Sequence, residues 1–242
     1  MEKFKKFKKE IKSFIEKEFK NEKYFCIVYG SYAWNLNNKK SDVDLILVCE
    51  KKTPKKINAL VNKILDLHKE LKLNVDCEVP HKLKALADFK YLKAALNGKG
   101  FILKKGRMII PPVVKNKSFL HSKKVVLRLL LNAMTSKNKF ICGNKAIFSK
   151  EKVKAFRALV RIYLLIFPTK KITVNKIVNN LLGKGKQTGE MFLGYKPYPI
   201  VKKYLKREIG KTLEKLKKEN KILKENNYFL LKDKRWLNEI SR

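Results

Sequence analysis

Tyr24-Phe25-Cys26-Ile27-Val28-Tyr29-Gly30-Ser31, then ten residues, then Asp42-Val43-Asp44-Leu45-Ile46-Leu47-Val48-Cys49: this stretch decides how the chain is read. Both runs are rich in β-branched and aromatic residues and predict strands, joined by a polar connection holding Asn35, Asn37 and Asn38. Side chains alternate along a strand, so Asp42 and Asp44 project from one face while Val43 and Leu45 point to the other. Two unpaired carboxylates so placed repel each other and raise a pKa. A divalent cation removes the conflict, and a purely oxygen donor set suits magnesium. Gly30 ends the first strand where backbone approaches a ligand closely, and amides there, with the Ser31 hydroxyl, suit phosphate oxygens. In Val75-Asp76-Cys77-Glu78-Val79, Asp76 and Glu78 share one face. Asp76 is the third carboxylate expected to complete the metal cage, with Glu78 as its rival.

Working outward, Phe4, Phe7, Ile11, Phe14, Ile15 and Phe19 recur at helical spacing and predict an amphipathic helix packed on the sheet. Thr53-Pro54 reads as an N-cap and first helical position, opening a helix to about Leu71. A strand over Leu73 to Val79, a helix over 82–97 and a short closing strand from Phe101 to Leu103 complete the first domain. The expected class is α/β (α+β): a small mixed sheet with helices, followed by a mostly helical domain. Tandem prolines at Pro111-Pro112 mark a linker between Arg107 and Lys117. That sets the expected domains at 1–110 and 111–242.

Beyond the linker, Lys123 to Met134, Ser149 to Phe167 and Thr173 to Leu182 read as helices, and Gly183 to Pro199 as a loop. A basic helix from Ile200 to Glu219 follows. Ile222 to Glu225 and Tyr228 to Leu231, joined by Asn226-Asn227, then read as a hairpin, since Asn tolerates positive φ. Helix, connection, basic helix and hairpin outline a winged-helix-like unit over about 150–232.

Charge points to partners. Fifty-nine Lys and Arg against 21 Asp and Glu give a net charge of +38, a field that attracts polyanions. Low-GC coding accounts for 52 Lys against seven Arg but not for the deficit of acids. Nucleic acid is the leading partner, with RNA slightly ahead of DNA. Cys26, Cys49, Cys77 and Cys142 lie far apart and predict neither a disulfide framework nor a zinc site. His68, His81 and His121 form no ligand spacing. No run reaches the roughly 20 apolar residues of a membrane span, and the acidic residues near the N-terminus argue against a transit peptide. The expected location is cytoplasmic, without a membrane partner.

The constellation resembles the minimal nucleotidyltransferase domain of the DNA polymerase β superfamily: Val28-Tyr29-Gly30-Ser31, a ten-residue spacer, Ser41-Asp42-Val43-Asp44-Leu45-Ile46-Leu47, then Asp76. The resemblance extends loosely to about residue 105. It implies an NTP substrate held through two magnesium ions, with manganese as a substitute, by Asp42 and Asp44. It implies that Asp76 shares one metal and assists deprotonation of the attacking hydroxyl, and that Gly30 and Ser31 contact phosphates. The reaction so implied is attack of an acceptor hydroxyl on the α-phosphate with release of pyrophosphate, the acceptor being RNA or DNA. The alternatives are nucleotidylation of a protein or small molecule, and a non-catalytic nucleic-acid-binding regulator. One departure stands out: many relatives carry Arg shortly after Gly-Ser, whereas this chain reads Tyr32-Ala33-Trp34-Asn35, with Lys39 and Lys40 as substitutes for the missing charge. In the second half, Lys202, Lys203, Lys206, Arg207 and Lys211 on the basic helix are the expected nucleic-acid contacts.

Overall fold

A computed structural model describes residues 2–50, 53–78, 131–166, 171–182, 198–232 and Trp236. The expected helix over 82–97, the strand from Phe101 to Leu103, the linker and nearly all of the 183–199 loop lie outside these residues. The chain divides into two compact units. Among the described residues, the first comprises 2–50, 53–78 and 137–150, and the second 131–136, 151–166, 171–182, 198–232 and Trp236.

The first unit runs α1 (Glu2–Glu18), β1 (Tyr24–Tyr29), α2 (Gly30–Trp34), β2 (Val43–Cys49), α3 (Pro54–Leu71), β3 (Val75–Glu78) and β4 (Lys139–Gly143). Its sheet has the order β3-β2-β1-β4. β1 is antiparallel to β2 and β4, and β2 is parallel to β3, with α3 as the crossover. Phe7, Ile11 and Ile15 of α1, with Phe19 just beyond it, are fully buried, and Leu60, Ile64, Leu67 and Leu71 line α3. Both helices cover one face of the sheet, where Cys26, Val28, Val43, Leu45, Leu47 and Cys77 meet them. Each such aliphatic side chain contributes about 2 kcal/mol by leaving water. α3 starts as its sequence dictates: the Thr53 hydroxyl accepts from the Lys56 amide and Pro54 takes the first turn. Residues of the opposite face, Phe25, Ile27, Ile46 and Val48, are equally buried, and Phe148 packs edge-on to Phe25 with ring centroids 5.5 Å apart.

Two expectations need correction. The first unit does not end near residue 110, because 137–150 belong to it and supply its fourth strand. A five-residue edge strand with a lysine at its start carries too little periodicity to be recognised, and only pairing with β1 makes it one. Gly30 does not simply end a strand either. It opens α2, a single helical turn whose Tyr32, Ala33 and Trp34 are buried.

The second unit contains the greater part of α4 (Lys145–Ile166, from residue 151 onward), α5 (Val174–Leu181), α6 (Pro199–Lys218) and the hairpin β5 (Ile222–Glu225) and β6 (Tyr228–Leu231). Leu205, Ile209, Leu213 and Leu216 of α6 are fully buried, as their spacing predicts. The hairpin turns at Asn226, with φ of 48°, and pairs Glu225 with Tyr228 as expected. Ile172, just before α5, adds a further antiparallel bridge to Phe229, exchanging backbone hydrogen bonds of 2.9 and 2.7 Å. Arg157 of α4 grips the Glu219 carboxylate at the end of α6 with both guanidinium nitrogens (2.7 and 2.6 Å).

Candidate active site

The acidic residues are assembled by turn, strand and register. Asn38 and Ser41 lock the turn ahead of β2: the Asn38 amide donates to Ser41 Oγ (2.9 Å) and the Lys40 amide to Asn38 Oδ1 (2.8 Å). Asp42 follows at once. The Val43 amide donates to the Asn74 carbonyl (2.8 Å), tying this point of the chain to the start of β3. Parallel register then sets Asp44 opposite Asp76, and Ile46 opposite Glu78. The fold therefore brings Asp76, rather than Glu78, beside Asp44. Val43, Leu45 and Cys77 turn into the core beneath α1 and α3, so the alternation expected from the sequence is met.

Gly30 is fitted to this cluster. Its φ is +67°, and a Cβ built on it would lie 1.8 Å from Asp44 Oδ2 and 2.8 Å from Cγ. The carboxylate of Asp44 occupies the space that any side chain at position 30 would need. Glycine is required here both by the left-handed backbone and by the carboxylate.

Electrostatics follow from the crowding. Burial, then the charges of Asp76 and Asp42, push Asp44 up to about 7. Burial, then the charge of Asp42, pushes Asp76 up to about 6. Tyr32 of α2 is also raised, first by burial and then by Asp42. Three groups thus register the charge of Asp42, which places it among them. These are like charges held together with their hydration reduced, the circumstance in which a cation binds most favourably.

The donor set fits a hard divalent cation, being carboxylate oxygen throughout. The expected closed cage is not formed: among the described residues no three His, Cys, Asp or Glu side chains stand in metal-binding geometry. An open pair of carboxylates with a third nearby still suits magnesium, which takes one or two protein carboxylates and keeps its other positions for water and substrate phosphate. His68 has a structural place: its Nδ1 lies 2.7 Å from the Leu73 carbonyl oxygen, at the end of α3. All four cysteines are buried and free.

On α6, Lys203, Lys206, Arg207 and Lys211 are exposed and Lys202 is half-buried. Glu208 pairs with Arg207 (2.7 Å) and Lys211 (3.8 Å), while Lys202, Lys203 and Lys206 make no ion pair among the described residues. The structure thus leaves part of the expected basic surface without internal partners. Sequence reasoning missed Lys137 and Lys139. They lie about a hundred residues after Gly-Ser in the chain, yet Lys139 pairs with Val28 at the same end of β1. Only the unrecognised strand β4 could have signalled them. Among the described residues no helix is long and apolar enough to cross a membrane.

No curated protein and no solved structure matches the chain significantly. A family model does: residues 8–99 match the one described as the nucleotidyltransferase domain. That stretch includes Gly30, Ser31, Asp42, Asp44 and Asp76, and stops short of β4. Over residues 8–99, under half of its length, the chain is therefore similar to the nucleotidyltransferase domain.

Proposed function

We propose that the protein is a divalent-metal-dependent enzyme that moves a nucleoside monophosphate from an NTP to a hydroxyl of an acceptor nucleic acid, releasing pyrophosphate. The observation that carries this reading is the crowding of Asp44 against Asp76 and Asp42, with Gly30 stripped of a side chain to make room. Asp42, Asp44 and Asp76 would hold magnesium, which when bound neutralises the triphosphate and the entering and leaving oxygens. Gly30 and Ser31 are assigned to phosphate contacts. Asp76, opposite Asp44 in the β2–β3 register, is suited by position to receive the proton of the attacking hydroxyl.

The second unit supports the choice of acceptor. Helix α4, the bridge at Ile172, helices α5 and α6 and the β5-β6 hairpin follow one another in the order of a winged helix, with α6 as the groove-reading helix and Asn226-Asn227 at the tip of the wing. Lys202, Lys203, Lys206, Arg207 and Lys211 would contact phosphates, giving affinity that depends on salt rather than on sequence.

The test is transfer of label from each α-labelled NTP, with magnesium, into a mixture of RNA, DNA and protein, by wild type and by Asp42→Ala/Asp44→Ala. Label in nucleic acid from wild type alone supports the reading and names the base. Label in protein moves the acceptor to the nucleotidylation alternative. No transfer to any acceptor, small molecules included, with nucleic-acid binding intact, leaves a non-catalytic binding protein.

A further inference from the structure

A second cluster of like charge lies at the same end of the sheet as the carboxylates, and it is cationic. Lys139, opposite Val28 on β4, lies over the Phe4 ring (5.4 Å to the centroid) and donates from Nζ to Asn35 Oδ1 at 2.7 Å. Lys137 lies over the Trp34 ring at 6.0 Å. Burial first, then the neighbouring charges of Lys137 and Lys8, lower the pKa of Lys139, so each of those two ammonium groups is close enough to oppose it. The other half-buried lysines described in this unit find glutamates: Lys56 with Glu22 and Lys63 with Glu10. Lys8, Lys137 and Lys139 have no carboxylate partner among the described residues. They are half-buried, with Lys137 and Lys139 steadied on aromatic rings, unlike freely solvated lysines.

We infer that Lys8, Lys137 and Lys139 form a docking patch on the nucleotidyltransferase unit for the phosphodiester backbone of the acceptor nucleic acid. The inference rests on the transferase reading above and extends it to a surface that α6 does not contain. Position selects the ligand. Lys139 shares the face of Val28, beneath α1, whereas Asp44, opposite Tyr29, faces the other way, and the strands carrying them are two apart, roughly 10 Å. A mononucleotide held at Gly30 and Asp44 has its phosphates on the carboxylate side. A nucleic-acid strand carries a phosphate on every residue and can satisfy both places at once. Exposed Leu36, Lys39 and Lys40 lie on the connection between Asn35 and Asp42, so the chain linking the two clusters is open to such a ligand.

The experiment is binding of the full chain to a fluorescent oligonucleotide of about twenty residues, as RNA and as DNA, across a salt series. Lys137→Ala/Lys139→Ala should weaken binding roughly tenfold and lower the salt slope by about 1.4, the share of two phosphate contacts on a single strand. Lys55→Ala/Lys69→Ala, which removes equal charge from exposed positions of α3, should change binding far less. Lys139→Arg, which keeps the charge, should retain it. Stabilisation of the protein by magnesium and NTP should be the same in wild type and in the Lys137/Lys139 variant. Should the alanine pair melt early, Lys137→Gln/Lys139→Gln keeps the aliphatic stems on Trp34 and Phe4 and carries the same expectation. Equal effects of the two double variants overturn the patch, and so does loss of NTP stabilisation in step with oligonucleotide binding, since the lysines would then serve the nucleotide. If wild type transfers no label yet the patch variant loses binding, the transferase reading fails and the patch stands.

Discussion

The carboxylates on β2 and β3 and the lysines on β4 and α1 lie at one end of one sheet, on opposite faces, and both are sets of like charge. Asp44 and Asp76 are pushed up by burial and by neighbouring acids, while Lys139 is pushed down by burial and by neighbouring lysines. Both shifts run against the ionised form. Across α1 and α3 the same unit does the opposite, pairing Lys63 with Glu10 and Lys56 with Glu22. A fold able to pair charges there, yet leaving two clusters unpaired at the sheet end, has kept room for a counter-charge from outside. The acids suit a cation with its triphosphate, and the lysines a polyanion.

The sharpest way to break this comparison is to remove its acidic half. Asp44→Ala should lower transfer by roughly a thousandfold, several kcal/mol of transition-state stabilisation, while oligonucleotide binding stays near wild type. Gly30→Ala should come next, because its methyl must enter the space of Asp44 and adopt φ near +67°. The backbone strain alone costs about 1–2 kcal/mol, readable in urea unfolding, and displacement of Asp44 should depress transfer as well.

A subtler effect separates stability from function. Folding raises Asp44 above its ordinary value to about 7 and Asp76 to about 6. Below about pH 4 both groups are protonated folded or unfolded and cost nothing; as pH rises from there through 6 and 7 the unfolded carboxylates ionise more readily than the crowded folded ones, and stability is lost. Without divalent metal, Asp44→Asn should therefore melt higher than wild type at pH 8, by on the order of a few degrees, and the difference should shrink toward pH 5. Thermal melts of both proteins across that range check it. The smallest effect is a control away from both clusters: Thr53→Ala removes the N-cap of α3 and should cost about 1 kcal/mol without changing the salt dependence of oligonucleotide binding.

Local pattern carried the reading wherever one element decides the outcome. Alternation placed Asp42 and Asp44 away from Val43 and Leu45, the spacing of Phe7, Ile11 and Ile15 marked the buried stripe of α1, and Asn226-Asn227 marked the turn of the hairpin. What escaped depends on distant partners. β4 is a strand because β1 offers it an edge, with the register slipping by one residue between Cys26 and Ile27, and nothing within Lys139 to Gly143 announces that. The sequence at Gly30 predicts a close approach to ligand, yet what approaches it is Asp44, a relation visible only once β1 and β2 are paired. The preference for Asp76 over Glu78 likewise required the register of β2 against β3.

The most direct test of the acidic cluster as a metal and nucleotide site is a pair of thermal melts at pH 8, wild type against Asp44→Asn, each with and without magnesium and NTP. The account predicts that magnesium with NTP raises the melting temperature of wild type, and that Asp44→Asn, already higher without metal, gains nothing further. An equal rise in both proteins, or none in wild type, would contradict it.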